Sequence, residues 1–356
     1  MPSISNRAIV ASAGAGKTTT LVDEALKVPG KRVLLTTYTN ENVAQIRQDL
    51  VERHGCIPSN ISVVSWHTFL LREGVRPYQN YLLTEKRVRS VFYPKERRPF
   101  HRKNDYLTAQ RDIYGDKLAE FVFECNKSSG GRIVARLGRI YDYVLIDELQ
   151  DLSGYDLNVL RELFLSKIVV VVVGDPRQAT YSTNRAAKNR KYKGEGVFDW
   201  LKEREAAGEV NIEVHSISHR CNQLILDIAD SLYPGLPSTT SGNEELTGHD
   251  GVFAITPAEV KEYVRSHNPV SLRYDVKADT LFVRALNIGI TKGRTYKRVL
   301  IFPTKPMVSF LATGNPEEAG DKSRLYVAIT RAKYSATFVV KDPRSLHWLN
   351  KHRERQ

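Results

Sequence analysis

The sequence lacks the features of a membrane-anchored or secreted protein. Its longest apolar run, Ile168 to Val173, has six residues, whereas a membrane-spanning helix needs about 20. The first seven residues contain no apolar stretch of the kind that follows the basic start of a signal peptide. Cysteine is scarce as well: there are three, with no CxxC pair, so neither a disulfide framework nor a thiolate zinc site is predicted. We therefore expect a cytoplasmic protein with no membrane-spanning helix.

Acidic residues are too few to balance the basic ones. The 356 residues include 53 Lys and Arg against 40 Asp and Glu, a formal charge of +13. Apolar residues at 41% and charged residues at 26% are ordinary values for a globular protein, and the length allows two domains. The excess of positive charge indicates a polyanionic partner, for which composition alone allows a nucleic acid or a membrane surface.

Apolar runs of strand length alternate with amphipathic stretches of helix length, which is typical of an α/β protein with parallel sheets. Several runs are apolar at every position, as expected for strands that helices cover on both faces. The predicted strands are Ala8 to Ala11, Val33 to Thr37, Ile61 to Ser65, Tyr143 to Asp147, Ile168 to Gly174, Ile212 to His215, Val252 to Ile255, Arg298 to Phe302 and Ala336 to Val340.

One segment, Glu85 to Arg111, is strongly basic, with nine Lys or Arg and three acidic residues. Its cations are interleaved with aromatic rings, including Phe92, Tyr93 and Tyr106. Surfaces that bind single strands combine these two residue types, because cations neutralise phosphates and rings stack on bases. A solvated basic loop with aromatic side chains packed beneath it explains the pattern equally well.

A glycine-bearing loop follows the first predicted strand and precedes a helical run. Backbone N–H groups at such a helix start bind phosphate oxygens. In a P-loop, Lys17 would reach the β- and γ-phosphates, and the Thr18 hydroxyl would hold Mg²⁺. The predicted nucleotide-binding residues of this loop are Ser12, Ala13, Gly14, Ala15, Gly16, Lys17, Thr18 and Thr19.

Acidic residues follow another apolar strand, as a P-loop nucleotide site requires. Asp147 would bind Mg²⁺, and Glu148 would polarise the attacking water. A third strand is followed by Gln178, which could sense the γ-phosphate. The sequence therefore predicts a site that binds a nucleoside triphosphate and Mg²⁺.

Together with these residues, the runs Asp147-Glu148-Leu149-Gln150-Asp151, Gly174-Asp175-Pro176-Arg177-Gln178 and Tyr326-Val327-Ala328-Ile329-Thr330-Arg331-Ala332 make the chain resemble a UvrD/Rep-type superfamily 1 DNA helicase. The resemblance implies two RecA-like domains with ATP between them, over residues 1–214 and 215–356. It also implies that Arg220, in a run similar to motif IV, and Arg331, in motif VI, act as arginine fingers on the γ-phosphoryl group.

The resemblance also implies that the partner is single-stranded DNA, alone or at a junction with duplex, and not a membrane. Residues 36–40 resemble motif Ia and residues 65–69 resemble motif Ib, which both contact the strand in the family, while Lys292 lies in a run similar to motif V. The expected DNA-binding residues, including those of motif III and of the basic segment, are Tyr38, Thr39, Asn40, Trp66, His67, Tyr181, Lys292, Arg97, Arg98 and Arg102. Core packing is the alternative for Tyr38 and Trp66.

The chain departs from the family in size. Members of the family carry a sizeable insertion in each of the two domains. Here residues of about 75–140 leave room for one small, basic, helical insertion in the first domain, and residues 223–291 leave little room for the accessory insertion of the second domain. We therefore expect ATP-driven translocation on single-stranded DNA, 3′ to 5′ by resemblance. The alternative is a DNA-sensing ATPase that regulates a partner nuclease or repair protein without unwinding. A small-molecule P-loop kinase is disfavoured, because it would not need the late Arg331 motif.

Overall fold

A computed structural model describes residues 6–94, 105–180 and 188–353. The chain forms two compact units. Unit 1 comprises Met1–Val10 and Lys17–Glu213, and unit 2 comprises Ala11–Gly16 and Val214–Gln356. The loop expected to bind phosphate is thus grouped with the C-terminal unit, although the helix that follows it belongs to unit 1.

Unit 1 is built on a parallel sheet. Its strands are β1 (Arg7–Ala11), β2 (Val33–Thr37), β3 (Ile61–Ser65), β4 (Val91–Phe92), β5 (Ile113–Tyr114), β6 (Tyr143–Ile146), β7 (Val169–Gly174) and β8 (Asn211–His215). Its helices are α1 (Lys17–Leu26), α2 (Asn40–His54), α3 (Trp66–Phe69), α4 (Leu118–Ser128), α5 (Arg132–Ile140), α6 (Tyr155–Phe164) and α7 (Val197–Ala206).

The main sheet of unit 1 has the order β3-β2-β6-β7-β1-β8. The pairs β2–β3, β2–β6, β6–β7 and β1–β7 are parallel. All five residues of β2 are buried, as are the last five of β7, because helices cover a parallel sheet on both faces. The carboxyl ends of these strands therefore share one edge, and the loops that leave this edge carry the predicted motifs.

The segment predicted as a small insertion, about 75–140, contains the helices α4 and α5 and the short parallel pair β4–β5. The start of α4 packs its buried face through Leu118, Phe121 and Val122. The central part of the basic segment, residues 95–104, lies outside the described residues.

Unit 2 is also built on a parallel sheet. Its strands are β9 (Ile217–Ser218), β10 (Thr240–Ser241), β11 (Gly251–Ile255), β12 (Val270–Arg273), β13 (Ala285–Asn287), β14 (Tyr296–Phe302) and β15 (Ala332–Val339). Its helices are α8 (Gln223–Asp230), α9 (Val260–His267), α10 (Lys305–Thr313), α11 (Lys322–Ile329) and α12 (His347–Arg353).

The main sheet of unit 2 has the order β11-β15-β14-β12-β13, and all its pairs are parallel. Its core joins Val299, Ile301 and Phe338 of the sheet to apolar residues of α8, α10 and α11. The predicted α/β class with parallel sheets is confirmed. Within the residues that the structure describes, no helix has the length and apolar character needed to cross a membrane.

Candidate nucleotide site and nucleic-acid interface

The loop between β1 and α1 is shaped by two glycines. Gly14 has φ +82° and Gly16 has φ +73°, values that residues with a side chain rarely adopt. Helix α1 begins at Lys17 directly after Gly16. The backbone thus turns sharply from a buried strand into a helix N-terminus, which is the geometry that a phosphate-binding loop requires.

Thr18 and Asp147 meet at the carboxyl edge of the unit 1 sheet. The Thr18 hydroxyl donates to Oδ2 of Asp147 across 2.7 Å, although the two residues are far apart in sequence. Asp147 follows β6 and is 4% exposed. A hydroxyl and a carboxylate are hard oxygen donors of the kind that Mg²⁺ prefers, so the pair fits the predicted metal site.

The carboxyl group of Asp147 has an unusual protonation equilibrium. Burial, followed by the nearby negative charge of Glu148, raises the pKa of Asp147 to about 6. The hydrogen bond from Thr18 and the charge of Lys17 act in the opposite direction. A bound divalent cation would favour the ionised form of this carboxyl, which is a further reason why the residues present fit Mg²⁺.

Glu148 is positioned by its backbone conformation and by hydrogen bonds to Asp147 and Gln150. Its φ of +59° lies in the left-handed region, which is strained for a residue with a side chain. Its N–H donates to Oδ1 of Asp147 across 2.9 Å, and Nε2 of Gln150 donates to its carboxylate. The carboxyl group predicted to polarise water is therefore fixed in direction.

Gln150 also connects the loop after β6 to the loop after β7. Its Oε1 accepts from the N–H of Asp175 across 3.0 Å. Oδ2 of Asp175 accepts in turn from Nε2 of Gln178 across 2.8 Å. The structure therefore joins Glu148 to Gln178 through Gln150 and Asp175. Sequence reasoning assigned no role to Gln150, and its place inside the run of residues 147–151 was the available signal.

Arg220 lies against the glycine loop within unit 2. A Cβ atom built at Gly14 would stand 2.6 Å from Cβ of Arg220, so no side chain fits at position 14. The Ser218 hydroxyl donates to the carbonyl of Ala13 across 2.6 Å, and the His219 N–H donates to the carbonyl of Gly14 across 3.1 Å. This places the predicted arginine finger Arg220 beside the loop expected to hold phosphates.

Two further residues, which the sequence did not predict as part of the site, contact this loop. The Thr239 hydroxyl donates to Oγ of Ser12 across 2.9 Å. The hydroxyl of Tyr326 accepts from the Ala13 N–H across 3.5 Å. Tyr326 belongs to the motif VI run, which was the signal available for it, whereas Thr239 lies in a stretch that reads only as a loop.

Arg331 is buried within unit 2 at 0% exposure. Its Nε donates to the carbonyl of Val327 across 3.1 Å, and its Nη1 donates to the carbonyl of Arg294 across 3.1 Å. The guanidinium therefore joins the end of α11 to the loop after residue 291. That loop carries Lys292, which is half-buried beside Gly293 at φ +83°.

Of the predicted strand-contacting residues in unit 1, Tyr38 and His67 lie together. Their ring centroids are 5.3 Å apart in an edge-to-face arrangement, with Tyr38 half-buried and His67 buried. Burial lowers the pKa of His67 to about 4, so its ring is neutral at pH 7. Thr39 caps α2 by accepting from the Asn42 N–H across 3.1 Å, and Asn40 is exposed at the first position of that helix.

The expectation that Trp66 stacks on a base needs correction. Its side chain is 1% exposed, and its indole N–H donates to Oδ1 of Asp156 across 2.7 Å. The ring therefore packs in the core of unit 1, where no base can reach its face. Tyr181, Arg97, Arg98 and Arg102 lie outside the described residues.

Comparison with known proteins finds one family model that matches part of this chain. Residues 116–194 match the family model described as the UvrD/REP helicase N-terminal domain. Over these residues the chain is similar to the N-terminal domain of UvrD/REP helicases. The matched segment includes Asp147, Glu148 and Gln178, so the acidic pair and the glutamine lie inside the region that resembles the family. No curated protein matches the chain.

Solved structures with a similar fold include viral helicases. Arterivirus nonstructural protein 10 (helicase), in a complex with DNA, matches with a TM-score of 0.50 and 14% identity over 98% of this chain and 63% of that chain. The PRRSV helicase matches with a TM-score of 0.47 and 14% identity over 95% of this chain and 53% of that one. The chain thus spans between about half and under two thirds of these proteins. At this identity the arterivirus complex shows a shared fold.

Proposed function

We propose that this protein is an ATP-dependent motor of the superfamily 1 helicase type that moves along single-stranded DNA. The observation that carries the proposal is the contact of 2.7 Å between Thr18 and Asp147, with Glu148 next in the chain. A phosphate loop, a metal-binding pair and a water-polarising carboxylate are the parts that hydrolysis of a nucleoside triphosphate requires. They occur in a chain that resembles UvrD/REP helicases over residues 116–194.

In this proposal each residue has one role. Lys17 binds the β- and γ-phosphates, Glu148 orients water, and Gln178 responds to the γ-phosphate. Thr18 and Asp147 hold Mg²⁺, which when bound neutralises charge that develops on the phosphoryl oxygens. Arg220 and Arg331 stabilise that same charge, Arg331 after its guanidinium leaves the backbone carbonyls that it binds here.

Single-stranded DNA is the polyanion that we propose for the +13 charge. The similar arterivirus helicase has been solved with DNA, and a cationic protein gains affinity for a phosphate backbone by releasing counterions. Movement from 3′ to 5′ is the direction that the UvrD/Rep resemblance favours.

A second candidate is a DNA-sensing ATPase that regulates a partner nuclease without separating strands. The observation that favours it is the short connection between α8 and Lys292. The described residues 231–291 form α9 and the short strands β10–β13, all within unit 2. This leaves little chain for the accessory insertion that we expect to touch duplex DNA.

The deciding experiment is steady-state ATP hydrolysis with and without single-stranded DNA or RNA. We expect single-stranded DNA to raise turnover, and Lys17→Ala to lower it by at least about 100-fold because the phosphates lose their cation. Lys27→Ala is the matched control, since Lys27 is an exposed lysine at the end of the same helical segment. Turnover that ignores single strands, or survives Lys17→Ala, would contradict the proposal.

Strand displacement separates the two candidates. A motor releases the labelled strand of a partial duplex in the presence of ATP, whereas the sensing ATPase hydrolyses ATP and releases none. The same Lys17→Ala variant shows that any release depends on hydrolysis.

A further inference from the structure

Three aromatic rings lie in a row on unit 1, and only two of them belong to the predicted strand-binding motifs. Tyr38 contacts His67 edge to face with centroids 5.3 Å apart. His67 then faces Tyr93, with centroids 5.6 Å apart and planes inclined by 17°. The hydroxyl of Tyr93 lies 2.7 Å from Nδ1 of His67. The row thus runs from the loop after β2, through α3, to the residue after β4.

Tyr93 is the exposed end of this row. It remains 58% exposed, whereas His67 is 7% exposed. Burying an aromatic ring is favourable, so a ring held open to solvent on a fixed support is available to a partner.

The position of the Tyr93 ring is built into the fold. A Cβ atom placed on Gly115 would stand 2.5 Å from Cε1 of Tyr93, so the ring occupies the space that a side chain at position 115 would need. Gly115 lies directly after β5, which pairs with β4. The short pair β4–β5 and the hydrogen-bond contact with His67 therefore fix the ring from two sides.

We propose that Tyr93 stacks on an unpaired base of single-stranded DNA and extends the surface that Tyr38 and His67 begin. This inference rests on the proposed function and adds a contact from the insertion of unit 1, which neither the resemblance nor the comparisons assign. Flat rings bind bases of any sequence, because every base has a π face. In sequence, Tyr93 belongs to the basic segment Glu85 to Arg111, and cations of this kind neutralise the phosphates of a bound strand.

The test measures the affinity of the whole chain for a fluorescein-labelled oligo(dT) by anisotropy. Tyr93→Ala is expected to weaken binding by about tenfold, the effect of losing one stacked base. Tyr93→Phe keeps the ring and is expected to bind within about twofold of the parent. Tyr81→Ala is the matched control, because Tyr81 is 41% exposed on the same unit and stacks on Tyr78; its affinity should equal that of the parent.

Gly115→Ala tests the position of the ring without removing it. Its added methyl group must displace Tyr93, and we expect binding to weaken by at least about threefold. A 2-aminopurine base in the oligonucleotide reports stacking directly, and its quenching should persist in Tyr93→Phe and fall in Tyr93→Ala. Thermal unfolding of each variant shows whether the fold is retained.

The outcomes separate this inference from the proposed function. If the parent neither binds single strands nor is stimulated by them, the proposed function fails. If the parent binds and is stimulated, while Tyr93→Ala or Gly115→Ala binds with the parent's affinity, Tyr93 does not stack on DNA and the inference alone is overturned. Equal losses in Tyr93→Ala and Tyr93→Phe would also overturn it, because the ring would then not matter.

Discussion

At the scale of single residues, the turn between β12 and β13 is strained. Leu281 and Phe282 have φ values of +51° and +65°, and the N–H of Val283 donates to the carbonyl of Thr280 across 2.9 Å. Two consecutive residues with positive φ, enclosed by a hydrogen bond of this kind, are typical of a type I′ turn, in which Asn and Gly are preferred. Leu281 and Val283 pack on the cluster that contains Tyr263 and Phe302, while the side chain of Phe282 is fully exposed.

Replacing Phe282 by glycine should stabilise unit 2. The left-handed conformation costs a residue with a side chain about 1–2 kcal/mol, and glycine removes this cost. Glycine also makes the unfolded chain more flexible, which offsets part of the stabilisation. We expect the free energy of unfolding to rise by about 0.5–1 kcal/mol, measured by urea denaturation. Val276→Gly is the control, because Val276 is 69% exposed in the same connection without a positive φ, and it should not stabilise. Equal effects of both substitutions would contradict the strain argument.

The sequence predicts the structural role of a residue well where that role depends on its neighbours in the chain, and poorly where it depends on distant residues. Gly14 and Gly16 lie in a short run that dictates its own backbone shape, and their positive φ values follow from it. Trp66 was predicted on the strand-binding surface, but the partner that buries it, Asp156, is 90 residues away. The position of Tyr93 against Gly115 likewise depends on the pairing of β4 with β5. Strands of two residues are too short to be predicted from the sequence.

At the scale of elements, the strands with continuous apolar runs could be predicted and the short ones could not. β2 and β7 are buried along nearly their whole length, so their sequences alone indicate strands covered on both faces. β12 and β13 were missed, because Val-Ser-Leu-Arg and Ala-Leu-Asn are short and only partly buried. The strand form of β12 depends on its neighbour β14, which lies later in the chain, and β13 forms by pairing with β12.

The link between the loops after β6 and β7 should matter for turnover. Gln150 donates to Glu148 and accepts from the Asp175 N–H, so Gln150→Ala removes one hydrogen bond that positions the Glu148 carboxylate and takes the acceptor from a buried N–H. We expect the turnover of DNA-stimulated ATP hydrolysis to fall by about tenfold or more, since a misplaced catalytic group is less effective. The KM for ATP should change by less than about threefold, because Gln150 holds the water-polarising group rather than the phosphates.

Gln48→Ala is the control for that substitution. Gln48 is a glutamine of unit 1 whose side chain bonds only an exposed neighbour, Glu52, on α2, and its loss should leave turnover unchanged. A rise in KM with unchanged turnover in Gln150→Ala would show that Gln150 serves nucleotide binding instead.

At the scale of the whole molecule, we expect the effect of the +13 charge on the binding of single strands to depend on where the cations lie. The most basic block of the sequence, residues 85–111, contains Tyr93, while other lysines are spread over unit 2. If the protein binds single strands with a defined surface, cations on that surface release counterions and the others do not. Net charge alone would make all cations equivalent.

This distinction gives a prediction for the salt dependence of binding. Replacing Arg97, Arg98, Arg102 and Lys103 by glutamine should make the slope of log K against log salt shallower by up to about 3, since each phosphate contact on a single strand contributes about 0.7. The control replaces four lysines that are exposed on unit 2, Lys261, Lys277, Lys341 and Lys351, and removes the same charge. We expect its slope to stay within about 0.5 of the parent's. Equal slopes for the two variants would mean that the basic segment does not meet the strand and that the charge of the protein acts only as a whole.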